Sequence, residues 1–233
     1  MKSAGVPFCL PVTSGSLGDV ERLLWERRDT FHYVEAWLDH LTGVTPVALR
    51  RLAGEHGGRL VVLLRRRGLE PPERPLPERC ELIAALAGSA ALLDLDVMAQ
   101  EAELSFAATL TAPPPLLLSF HDYEKTPGDD DLRAILTRMR ARRPHLIKIA
   151  TQCRERRDAL RLLTLQVELL GREPAVIIGM GEEGRLTRLT GALWGNAMNF
   201  APERPGEASA PGQFLREELL DLVNRCTGEG HGC

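Results

Sequence analysis

The chain has 233 residues, of which 44% are hydrophobic and 26% charged, with a formal net charge of −3. That profile excludes intrinsic disorder and collagen-like repeats and leaves enough chain to bury a core without staples. With 29 basic against 32 acidic residues there is no basic footprint for nucleic acid or an anionic membrane, and no apolar stretch approaches the ~20 residues that cross a bilayer.

Short apolar runs recur along the chain, each followed by a longer amphipathic segment. Phe8–Val12 is the first, and Leu17–Arg28 reads as the helix after it. The runs 32–38, 60–64, 91–97, 116–120, 146–150 and 175–180 follow, with a weaker one over 197–200. Their spacing is that of a strand, a turn, a helix and a return. Further helices are predicted over 45–56, 78–87, 129–142, 154–170 and 213–225. In the segment 154–170, Leu160, Leu163, Val167 and Leu170 recur at helical spacing and are expected to pack on a sheet. Pro71 to Pro77 and Pro113 to Pro115 read as loops between units.

Near-continuous apolar strands alternating with helices imply a parallel sheet covered on its faces, either a (β/α)8 TIM barrel or a doubly wound open sheet. The polar residues separate the two. Glu35 falls near the end of the second strand, Arg65 after the third, Asp96 at the fourth, His121 after the fifth and Lys148 in the sixth. Barrel chemistry collects at many strand ends and open-sheet chemistry at one switch point, so the distribution favours a barrel. We expect one domain over 1–233, with a Gly-rich mobile tail over 227–233.

The cysteines, Cys9, Cys80, Cys153, Cys226 and Cys233, are scattered and contain no C-x-x-C pair. They read as buried thiols rather than as a disulfide framework or a zinc site. No basic-then-apolar leader opens the chain, and a cytoplasmic protein is expected. The basic residues comprise 26 Arg and three Lys: Lys2, Lys125 and Lys148. Where Arg serves almost every cationic position, a retained Lys points to what a guanidinium cannot do, which is to lose a proton and attack a carbonyl. Lys148 stands inside the apolar run Leu146-Ile147-Lys148-Ile149-Ala150. It either snorkels to a strand end or is a desolvated nucleophile. His121 ends the preceding strand, and adjacent parallel strands lie roughly 5 Å apart. An amine beside an imidazole can form an iminium and move protons near neutral pH.

The strings Ser119-Phe120-His121-Asp122-Tyr123-Glu124-Lys125-Thr126-Pro127, Leu146-Ile147-Lys148-Ile149-Ala150 and Ala208-Ser209-Ala210-Pro211-Gly212-Gln213 resemble those of type I 3-dehydroquinate dehydratases. Asp94-Leu95-Asp96-Val97 and the segment 184–191 resemble the same family, in the same order. The resemblance implies a (β/α)8 lyase of the shikimate pathway. It would dehydrate 3-dehydroquinate to 3-dehydroshikimate with no metal or organic cofactor, as a homodimer.

By position, Lys148 matches the family's Schiff-base lysine and His121 its general acid and base. Asp96 falls where the family has an acidic residue that orients the histidine. Glu35, Arg65, Arg188, Ser209 and Gln213 match substrate-binding positions, the last two in a closing loop, with Arg188 the candidate for the substrate carboxylate. Arg66 and Arg67 read as solvated surface charges.

Three departures stand out. Trp37 replaces a substrate-contacting arginine of the family pattern, Asp96 is shorter than the usual glutamate, and Phe120 replaces a polar residue. Two other functions compete with dehydration. One is another iminium-forming barrel, such as an aldolase; the other is a degenerate barrel that binds a related metabolite or a partner protein.

Overall fold

The structure is a computed structural model, and it describes residues 5–228. Among these, eight strands alternate with eight α-helices. They are β1 (Phe8–Val12), α1 (Leu17–Glu26), β2 (Tyr33–Trp37), α2 (Pro46–His56), β3 (Leu60–Leu63), α3 (Leu76–Ala85), β4 (Leu92–Asp96) and α4 (Glu101–Ala108). Then follow β5 (Leu116–Asp122), α5 (Asp129–Ala141), β6 (Leu146–Gln152), α6 (Arg156–Leu169), β7 (Ala175–Met180), α7 (Arg185–Trp194), β8 (Asn199–Phe200) and α8 (Arg216–Thr227). The strand order is β7-β6-β5-β4-β3-β2-β1-β8, that of a (β/α)8 barrel. The expected strands are all present; α4 and α7 are helices that the sequence pattern did not single out. His121 lies within β5 rather than after it. The tail expected over 227–233 lies, from residue 229 on, outside the described residues, as does Cys233.

The chain divides into two compact units. One comprises Pro11–Ser119 and Arg138–His145. Its β2, β3, β4 and the start of β5 pair in parallel, with Glu35 opposite Val61, Val62 opposite Leu93 and Asp96 opposite Ser119. Leu60, Val61, Val62, Leu93, Leu95, Leu117 and Leu118 are fully buried, as a sheet covered on its faces requires. Helix starts are set by local chemistry. Ser16 and Asp19 form a capping box at α1, and the Thr45 hydroxyl accepts from the Ala48 N–H with Pro46 in the first turn of α2.

The other unit comprises the chain up to Leu10, Phe120–Thr137, and Leu146 onward. Here β6 pairs with β7 over six residues, Ile147 opposite Ala175 through Gln152 opposite Met180, and Phe8 of β1 pairs with Asn199 of β8. Helix α7 sits close against β7 because Gly179 faces Gly184; a Cβ at Gly184 would lie 2.3 Å from the Gly179 carbonyl carbon.

The apolar stripe expected to bury α6 is on the wrong side. Leu160, Val167 and Leu170 are 60%, 56% and 47% exposed. Ala159, Leu162, Leu165 and Leu169 pack inward instead. Both sets recur at helical spacing, and buried polar groups choose between them. Gln166 donates to the Asn196 side-chain oxygen and accepts from Thr190, while that same Asn196 oxygen accepts the Ile177 N–H of β7. Turning the other stripe inward would strand these groups. The expectation of buried thiols holds for Cys9 and Cys153, whereas Cys226 is exposed.

Candidate active site

In the second unit the site is built around two strand ends and a loop. After His121, which stacks on Tyr123 with ring centroids 6.1 Å apart, the Asp122 carboxylate accepts the N–H groups of Glu124 and Lys125 at 2.9 and 3.0 Å. This turn brings Thr126 back onto the end of β6. The Thr126 hydroxyl lies 2.9 Å from that of Thr151 and donates to the Gln152 carbonyl at 3.0 Å. The loop that follows His121 is thereby fastened three residues beyond Lys148.

Lys148 is only 5% exposed, and its Nζ lies 4.3 Å from the ring centroid of Phe200 in β8. A π-face offers a cation modest support and a neutral amine an apolar wall. It therefore raises the cost of charge at Nζ less than bare hydrocarbon would, yet keeps the amine out of water.

Arg188 of α7 is 5% exposed. Its Nη2 donates to the Pro211 carbonyl at a long 3.4 Å, and its Nε has no hydrogen-bond partner among the described residues. Burial pulls its pKa down to about 10, with Cys153 opposing and Arg185 adding to the shift. A buried guanidinium so weakly matched is suited to an anion that the chain does not itself provide.

The Pro211 segment is held beside it by backbone contact. The Gly181 N–H donates to the Pro211 carbonyl, and Gly212, at φ +79°, approaches so closely that a Cβ there would lie 2.5 Å from the Gly181 oxygen. In the same loop Gln213 accepts the Ser209 N–H at 2.9 Å and donates to the Ser209 hydroxyl at 3.1 Å. Lys148, His121, Arg188, Ser209 and Gln213 thus all belong to this unit.

The first unit carries Glu35, Arg65 and Asp96. Glu35 is buried and accepts the indole N–H of Trp37 at 2.7 Å, and the Arg65 guanidinium lies 4.7 Å over the Trp37 ring. The backbone of Arg65 is fixed from both sides. Its N–H donates to Asp39 at 2.7 Å, while its carbonyl accepts from Arg79 at 2.7 Å and from Gln100 at 3.4 Å.

Asp96, 2% exposed, accepts the N–H groups of Met98 and Ala99 through Oδ1, at 2.8 and 3.0 Å. Its Oδ2 lies 4.0 Å from Arg66.

Arg66 is therefore not the solvated charge expected. Only 14% of its side chain is exposed, and it bonds Glu70 at 3.1 Å, whose carboxylate also accepts the Arg66 N–H. Burial pushes the Glu70 carboxyl up, but the bonds and charge of Arg66, with Arg65 nearby, outweigh it and hold it below the usual range. Glu70, Asp39, Thr126 and Phe200 were not singled out in the sequence, and the Arg66–Glu70 pair is made by the turn after β3.

The model of the type I 3-dehydroquinase family matches residues 8–227. A 3-dehydroquinate dehydratase of Methanococcus maripaludis is 33% identical over 153 residues, 63% of this chain and 68% of that protein. One from Listeria monocytogenes is 31% identical over 203 residues, 82% of this chain and 75% of that protein. The crystal structure of the 3-dehydroquinate dehydratase from Geobacillus kaustophilus superposes with a TM-score of 0.78 at 25% identity, covering 98% of this chain and 93% of that one. The chain is a (β/α)8-barrel enzyme. It belongs to the type I 3-dehydroquinase family. No helix among the described residues is long and apolar enough to cross a membrane.

Proposed function

We propose that this chain dehydrates 3-dehydroquinate to 3-dehydroshikimate, a step of the shikimate pathway, through an iminium on Lys148 with His121 as the proton shuttle. The Nζ of Lys148 adds to the ring ketone, and loss of water leaves the iminium. His121 then takes the proton from the adjacent carbon. The electron pair flows into the iminium to give an enamine, which expels the hydroxyl as water with the proton returned by His121. Hydrolysis of the conjugated iminium frees the product and the amine. The iminium is the electron sink, so the reaction needs neither a metal nor an organic cofactor.

The observation that carries this reading is the burial of Lys148 in a strand whose end holds, through Thr126 and Thr151, the loop that follows His121. Arg188 suits the substrate carboxylate because its charge is weakly matched within the fold. On the family pattern Glu35 and Arg65 contact the substrate, Asp96 orients the imidazole, and Ser209 and Gln213 exchange their mutual bonds for bonds to substrate on closure.

Borohydride reduction in the presence of 3-dehydroquinate or 3-dehydroshikimate should fix a covalent adduct on Lys148, read by peptide mass spectrometry. Binding without any adduct overturns the mechanism. His121→Ala should still trap while turnover falls by ~10²–10⁴-fold; undiminished turnover would remove His121 from its role. Aspartate 96 is tested by Asp96→Asn, expected to lower kcat with little change in KM.

A cytoplasmic homodimer is the form we propose. The unbridged thiols support the compartment, and the outward stripe of α6 supports the dimer. An antiparallel pairing about Leu163 sets Leu160 against Val167 and Arg157 toward Glu168 of the second copy. Light scattering should give twice the chain mass, and the chain mass for Leu163→Glu; a monomeric wild type rejects it.

A further inference from the structure

The sequence puts an indole at position 37, where the related pattern carries a guanidinium that meets substrate. The structure gives that indole three contacts of its own. Glu35 and Trp37 are two apart on β2, so their side chains leave the same face of the strand. That alternation lets the indole N–H reach back to the Glu35 carboxylate at 2.7 Å. Trp37 pairs in register with Leu63, and Arg65, two residues further on, lays its guanidinium over the ring at 4.7 Å. The ring is also held edge-on by His40, with centroids 5.7 Å apart.

Two of the partners of Trp37, Glu35 and Arg65, are the groups in this unit read as substrate contacts, and the indole touches both. Glu35 is 2% exposed, and the indole N–H gives its carboxylate a donor at 2.7 Å that fixes one of its oxygens. Arg65 has its backbone fixed by Asp39, Arg79 and Gln100, which leaves the guanidinium end of a long side chain to be placed. Its Nε is buried without a hydrogen bond, 3.8 Å from a Glu70 carboxylate oxygen. The ring face supplies the missing constraint.

We propose that Trp37 is a positioning residue which couples Glu35 to Arg65, its N–H orienting the carboxylate and its ring orienting the guanidinium, in place of a direct cationic contact to substrate. The inference rests on the dehydratase reading for its kinetic test, but not for its structural one. One consequence is chemical. The pocket offers one guanidinium fewer than the related pattern, so affinity for an anionic polyol depends more steeply on Arg65 being held in place.

The experiment is a double-mutant cycle on the full chain. Trp37→Phe keeps a ring under Arg65 and removes the N–H; it should lower kcat/KM for 3-dehydroquinate about tenfold, mainly through KM, as expected for one hydrogen bond to a charged group. In a Glu35→Gln background the same change should cost less than twofold, because the carboxylate it served is gone. Trp37→Leu removes the ring as well, and its additional penalty should vanish in an Arg65→Gln background.

The readout that needs no turnover is the indole N–H resonance of Trp37 in nitrogen-15 spectra. It should move upfield in Glu35→Gln, while those of the exposed Trp25 and Trp194 stay. Additive kinetic penalties, or an indole resonance indifferent to residue 35, overturn the role of Trp37. A wild type that neither turns over nor traps an adduct overturns the dehydratase reading instead, and the resonance shift then decides the coupling alone.

Discussion

Arg79 and Arg188 are both buried guanidiniums, one behind β3 and the other behind β7, and their surroundings are opposite. Arg79, with no exposed surface, lies 2.7 Å from a Glu103 oxygen and 3.6 Å from an Asp39 oxygen, and donates to the Arg65 carbonyl. Arg188 has one long bond to a carbonyl and no carboxylate among its described ion pairs. The first is a structural rivet whose charge is neutralised inside the fold. The second is a buried charge to which the described residues bring no carboxylate. Burial of a cation is thus uninformative alone; what separates scaffold from binding group is whether the chain itself supplies the counter-charge.

The largest effect should come from the rivet. Arg79→Met leaves Asp39 and Glu103 buried without their cation and should cost ~3–5 kcal/mol in urea unfolding. A loss below ~1 kcal/mol would mean that the ion pairs around Arg79 are not what holds Arg65.

Arg188→Met should do the reverse. The folded guanidinium has its pKa depressed to about 10, below its ordinary value in the unfolded chain. Between those values the unfolded chain binds the proton more tightly, so stability rises with pH there, and at pH 8 the buried charge is a cost. Removing it should leave the apo protein unchanged or more stable by ~1–3 kcal/mol. The variant should also lose most of the stabilisation that an anionic substrate analogue confers in thermal unfolding. A destabilised apo variant would place Arg188 with the rivets.

The smallest effect concerns Glu70, whose carboxyl is held below its ordinary 4.5 despite burial. A carboxylate depressed on folding contributes fully above the unfolded value and is lost as pH falls through the folded one. Glu70→Gln should therefore lower stability by ~1 kcal/mol at pH 7. The difference from wild type should close as pH falls below 4.5 through the depressed value. A pH-independent difference would show that packing, not charge, is at stake.

The strands were legible because each is a short apolar run with few rivals, and β1 and β7 match their predicted bounds. Helices α4 and α7 were not, since Glu101–Ala108 carries little amphipathic pattern and α7 places Leu186 and Trp194 outward. The α6 stripe misled because two apolar rows share one helix, and the deciding Gln166, Asn196 and Thr190 bonds are tertiary. At the site, Lys148 stood out by rarity. Arg66 could not be told from Arg65 and Arg67, because three consecutive arginines carry no periodicity. Glu70 became visible as its partner only once the turn after β3 was folded.

Gly181 and Gly212 meet backbone to backbone, with no side chain between the loop and the strand end it rests on. That contact fixes how far the loop can be moved outward by sequence change. A side chain at Gly212 would meet the Gly181 carbonyl and push the loop away, whereas one at Gly181 would meet the Gln152 side chain instead. Any redesign of this loop therefore has to leave Gly212 as a glycine, because the carbonyl of Gly181 occupies the place its side chain would take.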